Sequence, residues 1–160
     1  MTIKVGDTLP EVTFMVPTAD GPAPKTTADI FTGKKVALFA VPGAFTPTCS
    51  AKHLPSYQEK EAELAAKGVD TIACVSVNDA FVMGAWAKDQ DVNDHIVMLA
   101  DGSGVFTKAI GLEMDASKFG MGMRSQRFSL IADNGVVTHL FVEAPAEYKV
   151  SGAEYMLENM

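Results

Sequence analysis

Apolar residues fall along the chain in short blocks separated by Gly, Pro and charged positions, and no block approaches the ~18 residues of a membrane span. The block at 35–41, Lys-Val-Ala-Leu-Phe-Ala-Val, is apolar at every position after its first. A strand of this kind needs cover on both faces, so it predicts a central strand. Residues 69–77 predict a second strand, 96–99 a short third, and 12–16 one near the N-terminus. Helices are predicted at 46–67, ended by Gly68 at the usual left-handed C′ position, at 79–88 with Asn78 as cap, at 104–110, and at 151–159 with Ser151 as cap. Pro55 interrupts the first, at a cost of ~3 kcal/mol in a regular ladder. Residues 127–132 and 136–142 flank Asp133-Asn134-Gly135, a hairpin turn signal. Residues 18–25, rich in Gly and Pro, read as a loop. Strands alternating with helices, then a hairpin, then a helix, predict an α/β fold with a central mixed sheet flanked by helices.

Length and charge narrow the class. The chain of 160 residues suits a single domain over 1–160. A net charge of −7 argues against a nucleic-acid partner, which needs clustered Lys and Arg. The start, Met-Thr-Ile-Lys-Val-Gly-Asp, is no apolar leader, so a cytoplasmic protein with no membrane partner is expected. Two cysteines are too few for a disulfide framework, and they do not form a Cys-x-x-Cys pair.

The chemistry concentrates at 41–50, Val-Pro-Gly-Ala-Phe-Thr-Pro-Thr-Cys-Ser. Thr46 suits an N-cap and Pro47 a first helical residue. Cys49 is then the third helical residue, among the unpaired amides of the first turn and at the positive end of the helix dipole. Cys74, in the middle of a predicted strand, reads as a small buried hydrophobe. A reactive thiol needs more than a low pKa. Lowering a thiol from ~8.5 to ~6 raises its thiolate fraction about 30-fold at neutral pH. The accompanying loss of nucleophilicity is roughly 13-fold. The remaining acceleration must come from groups that orient the substrate and stabilise developing charge.

Pro-Gly-Ala-Phe-Thr-Pro-Thr-Cys, followed by Ser50, His53, Pro55 and Tyr57, resembles the active-site signature of the peroxiredoxins, most closely the type II (peroxiredoxin-5) subfamily. The resemblance continues through residues 77–83, Trp86, Asp101-Gly102-Ser103-Gly104 and Arg124-Ser125-Gln126-Arg127-Phe128. It implies the thioredoxin-like fold and a thiol peroxidase that reduces hydrogen peroxide and alkyl hydroperoxides. It carries the roles of the family's active-site Pro, Thr, Cys and Arg onto Pro42, Thr46, Cys49 and Arg127, with Arg124 as the alternative arginine. It implies no prosthetic cofactor, and a homodimer pairing through loops that here include Phe45, residues 78–81 and the Met-rich segment 114–123.

Some type II members carry a resolving cysteine before the last helix; here Ser151 stands in that region and no Cys follows residue 74. A one-cysteine mechanism is therefore expected. An external thiol, glutathione with glutaredoxin or alternatively thioredoxin, would return the Cys49 sulfenic acid. A peroxide sensor passing oxidation from Cys49 to a partner protein, and a non-catalytic binding module, are the rival readings. His53 lies four residues after Cys49, but with Pro55 in the turn it reads as a packing or capping residue rather than half of a Cys–His pair. His95 and His139 stand alone, and the methionines read as core or interface. Asp101-Gly102-Ser103-Gly104 reads as a strand-to-helix turn, since it lacks the lysine of a phosphate loop.

Overall fold

A computed structural model describes residues 2–160. Five strands surround the predicted centre of the first half: β1 (Thr13–Thr18), β2 (Gly21–Thr26), β3 (Lys35–Ala40), β4 (Thr71–Ser76) and β5 (Ile96–Ala100). β6 (Glu113–Asp115) and β7 (Met123–Ser125) make a separate two-stranded ribbon, and β8 (Phe128–Asp133) and β9 (Val136–Val142) the predicted hairpin. The helices are α1 (Thr27–Phe31), α2 (Leu54–Glu59), α3 (Glu61–Ala66), α4 (Ala80–Asp89), α5 (Val105–Ala109) and α6 (Ala153–Asn159). The main sheet runs β2-β1-β5-β4-β3-β8-β9. β4 is parallel to both β3 and β5, while β8 pairs antiparallel with β3. It is the predicted mixed sheet, and β3 and β4 lie at its centre.

The period of two along β3 divides the core. Ala37, Phe39 and Val41 face one side, with Tyr57, Leu64, Met83, Trp86 and Met156. Val36, Leu38 and Ala40 face the other, with Phe14, Ile30, Phe31, Phe106 and Ile110. Phe39 and Tyr57 stack with centroids 4.2 Å apart and planes within 2°, which ties α2 to the central strand. No helix among the described residues is long and apolar enough to cross a membrane.

Several expectations are corrected. Residues 18–25 are not a loop: most of them form the β1–β2 hairpin, with Met15 opposite Pro24 and Pro17 opposite Pro22. β2 is an edge strand, and prolines two residues apart both turn their missing N–H to its free side. The helix expected over 46–67 breaks at Lys60 (φ −100°, ψ 10°) into α2 and α3, although Gly68 does take the left-handed conformation after it. Asn78 does not cap α4. Asp79 does, accepting from Val82 N at 2.8 Å, because the Asn78 side chain is used across the fold by Ala44 N and Ser76 Oγ. Ser151 does not cap α6. Its hydroxyl bonds Glu143, and the first-turn amide of Ala153 donates to Ser56 Oγ instead.

The 101–104 segment is the expected strand-to-helix turn. Buried Asp101 accepts from Phe106 N (3.1 Å), Thr107 N (2.9 Å) and Thr107 Oγ1 (2.7 Å), holding α5 to the end of β5. Asp101→Ala leaves these buried donors unpaired and should cost about 1–3 kcal/mol in urea unfolding, with Asp101→Asn intermediate. Equal stability of all three proteins would show that the cap contributes nothing.

Candidate active site

The site is built where β3 hands the chain to a helix. Val41 N still pairs with Val75 O at 3.2 Å. The loop that follows is drawn against α4 by Ala44 N donating to Asn78 Oδ1 at 3.0 Å. The helix starts at Pro47, so Cys49 is its third residue, as the motif predicts. Ser50 N donates to Thr46 O at 3.0 Å, the first bond of the helix, so the Thr46 backbone does cap it. The Thr46 hydroxyl does not reach for the Cys49 amide, however. It donates to Gly43 O at 2.7 Å, which leaves the threonine oxygen as an acceptor.

Residues Cys49–His53 form a π-helical turn closed by Leu54 N donating to Cys49 O. A proline at 55 would meet the carbonyl of Ala51 in an α ladder. The wide turn opens the backbone there, and its extra residue also resets which side chains face the sulfur. Cys49 is fully buried within the core. Trp86 Nε1 donates to Ser50 Oγ at 2.9 Å and holds the turn from below.

Arg127, the residue before β8, reaches across to this turn. Its Nη2 donates to Cys49 Sγ at 3.0 Å and its Nη1 to His53 Nδ1 at 2.8 Å. Guanidinium has no acceptor, so His53 Nδ1 must be bare and the ring proton must sit on Nε2. That nitrogen donates to Ser151 O at 3.0 Å, and Tyr57 Oη donates to the same carbonyl at 2.8 Å. Burial, then the charge of Arg127, pull the His53 pKa down to about 3, against a smaller upward pull from Ser151 O. The imidazole is therefore neutral at physiological pH. Arg124 lies against Gly43 in the same loop and its Nε donates to Met121 O at 2.9 Å, but of the two arginines Arg127 is the one that bonds the sulfur.

A cavity of about 490 Å³ opens beside this group, lined by Pro42, Thr48, Met114, Phe119, Arg127 and Tyr148 among others. Pro42 and Arg127 both line it, while neither Thr46 nor the buried Cys49 is on the lining. The arrangement offers a sulfur, a fixed positive charge and a largely apolar chamber beside them, the parts needed for nucleophilic attack on a neutral substrate. Cys74 lies in β4, fully buried, and burial pushes its thiol well up, with a further rise from Cys49. No group of three or more His, Cys, Asp or Glu side chains among the described residues is placed to hold a metal ion.

The fold gathers His53, Ser151, Glu143 and Tyr148 around Arg127, a grouping that the sequence by itself does not show. The i, i+4 spacing from Cys49 was the available signal for His53. Its partners lie 74 and 98 residues away and left no local trace.

The chain matches the family described as Redoxin over residues 4–157. It is 49% identical over 157 residues to Peroxiredoxin-2C of Oryza sativa subsp. japonica, covering 98% of this chain and 97% of that protein. It is 48% identical over 161 residues to the chloroplastic Peroxiredoxin-2E of Arabidopsis thaliana, covering 98% and 69%. The structure of reduced Prx3 from Vibrio vulnificus in complex with H2O2 superposes with a TM-score of 0.94 at 56% identity, covering 99% of both chains.

The depressed His53 pKa makes stability depend on pH. An unfolded chain takes up a proton near 6.5 that the folded chain refuses until about 3. The contribution is complete above the higher value and is lost as pH falls between the two, at ~1.36 kcal/mol per unit. His53→Gln should flatten that limb of stability against pH in urea unfolding series. An unchanged slope would mean that His53 is not held neutral.

Proposed function

The chain belongs to the Redoxin family and is a peroxiredoxin of the type II kind, a thiol peroxidase of thioredoxin-like fold, and from this we propose that Cys49 is the thiol that attacks the peroxide. The observation that carries the reading is the Arg127 Nη2 bond to Cys49 Sγ at 3.0 Å. The Cys49 thiolate forms a bond to one peroxide oxygen as the O–O bond breaks. Sulfur becomes a sulfenic acid, and the other oxygen leaves as alkoxide or hydroxide and takes up a proton. Arg127 stabilises the charge moving onto that leaving oxygen. The Thr46 oxygen, its own hydrogen committed to Gly43, accepts from the peroxide, and Pro42 shields the wall of the cavity.

Turnover in this reading uses Cys49 alone. Cys74 is fixed in the middle of β4 and paired through Phe39 to the central strand, a poor place for a disulfide partner that must move. Two external thiols return the sulfenic acid to thiol, releasing water and one disulfide. Glutathione with glutaredoxin is the preferred source and thioredoxin the alternative, with the whole chain acting as one domain in the cytoplasm and without a prosthetic group. A homodimer is supported by Phe45, Phe81, Phe119 and Met123, which are 51%, 74%, 71% and 50% exposed. Phe45 also holds a left-handed backbone (φ 65°), a strained conformation for a residue presented to solvent.

Cys49→Ser should abolish peroxide consumption with every reductant, and Cys74→Ser should keep most of it. Loss of turnover in Cys74→Ser with all reductants would overturn the one-cysteine mechanism. Arg127→Gln should slow Cys49 oxidation about 100-fold and stay slow in alkaline buffer where any thiol is ionised; Arg124→Gln should do less. Full recovery at alkaline pH would confine Arg127 to thiolate formation, and a larger defect in Arg124→Gln would exchange the two arginines. Sedimentation of the reduced protein at micromolar concentration should show a dimer that Phe119→Glu dissociates; a monomer throughout would reject the interface.

A further inference from the structure

The segment 143–151 forms a strap whose organisation the reaction scheme does not explain. Glu143, 7% exposed, stands just beyond β9, and its carboxylate gathers the far end of its own strap. Oε1 and Oε2 accept from Lys149 N (2.9 and 2.8 Å), and Oε2 also accepts from Val150 N (2.8 Å), Ser151 N (2.8 Å) and Ser151 Oγ (2.6 Å). Three consecutive backbone amides and a hydroxyl are thus tied to one side chain. Only an ionised carboxylate has the lone pairs for this set; a glutamine offers one oxygen and turns an NH2 toward donors.

The knot fixes the peptide that carries the Ser151 carbonyl. From the other side that peptide is held by the start of α6, where Ala153 N donates to Ser56 Oγ at 3.2 Å. Tyr148 folds back over the strap so closely that a Cβ at Gly152 would lie 2.6 Å from its Oη. Its ring packs edge-on to His53 (5.3 Å) and beneath the Arg127 guanidinium (5.9 Å). Ser151 O then has two tasks: it accepts from Tyr57 Oη and from His53 Nε2.

The tautomer of His53 is set from both sides, by the Arg127 donor at Nδ1 and by that carbonyl at Nε2. With an acceptor at Nε2 the proton stays there, and Nδ1 is bare for Arg127. Without one, the proton is free to move to Nδ1, where it would face the guanidinium donor to donor. We propose that Glu143 is a positioning residue of the peroxidase reaction. By fixing the Ser151 carbonyl it locks His53 as the Nε2–H tautomer, and His53 in turn holds Arg127 against Cys49. This rests on the reading of Cys49 and Arg127 given above, and it adds a residue that lines the cavity but makes no bond to the sulfur or to Arg127.

The test is single-turnover oxidation of Cys49 by hydrogen peroxide in the full chain, comparing wild type, Glu143→Gln, Ser151→Ala, Arg127→Gln and the double variant Glu143→Gln with Arg127→Gln. Each is also examined for the His53 ring by 15N-detected NMR. Glu143→Gln should slow oxidation on the order of 10-fold and convert a pure Nε2–H signature into a mixture of tautomers. In the double variant it should add nothing to the loss caused by Arg127→Gln, because its effect passes through Arg127. Ser151→Ala, which deletes only the hydroxyl bond, should fall between wild type and Glu143→Gln and serves if the latter does not fold. A normal rate and tautomer in Ser151→Ala together with a normal rate in folded Glu143→Gln would overturn the proposal. So would losses that multiply in the double variant, which would mark Glu143 as acting independently of Arg127. If Arg127→Gln itself oxidises at the wild-type rate, the reading of Arg127 fails instead.

Discussion

Arg127 bonds Cys49 and His53 together, and the contacts of His53 run on from it to Ser151, Tyr57 and the central strand. No carboxylate among the described residues lies within ion-pair distance of it. Its charge is met instead by a sulfur and a neutral ring nitrogen. A carboxylate in the place of His53 would neutralise that charge. An uncharged acceptor orients the group and leaves its field for the reacting atoms of the proposed reaction, a form of electrostatic preorganisation.

That choice places demands on the rest of the fold. A neutral histidine in a low-dielectric interior is stable only if both ring nitrogens are paired, and the pairing must dictate the tautomer. Ser151 O supplies one side from a segment 98 residues further along the chain. The stack of Phe39 on Tyr57 carries the order of the central strand to the same carbonyl, through Tyr57 Oη. The site is therefore rigid where the guanidinium is held. It is least regular at the π turn, where the sulfur sits one residue out of the ordinary helical phase.

The cavity beside the site has a different character. Pro42, Met114, Phe119 and Tyr148 line it, and Phe119 also belongs to the exposed apolar surface that supports pairing of two chains. Substrate access and the proposed interface thus share the segment between β6 and β7. This is the part of the fold that hydrophobic patterning reads least well, because beyond buried Ala116 its largest apolar side chain, Phe119, faces outward.

The central strand, the hairpin at 133–135, the helix start at Pro47 and the position of Cys49 within it were all legible in the residues themselves. Each follows from interactions over a few residues: a doubly apolar run, a turn needing positive φ, a proline that tolerates the first helical position. The shared motifs single out Pro42, Thr46 and Arg127 by resemblance, and the proposed reaction rests on them. Tertiary structure decided what those side chains touch. It turned the Thr46 hydroxyl to Gly43, took Asn78 from its helix for the loop at Ala44, and took Ser151 from α6 for Glu143. In each case a polar group that could satisfy the first turn of the following helix bonds a partner outside that helix instead, from three to 34 residues away. Local signals record what a residue can bond; burial decides which bond it must make, since an unpaired polar group costs more inside the protein than a lost cap costs at its surface.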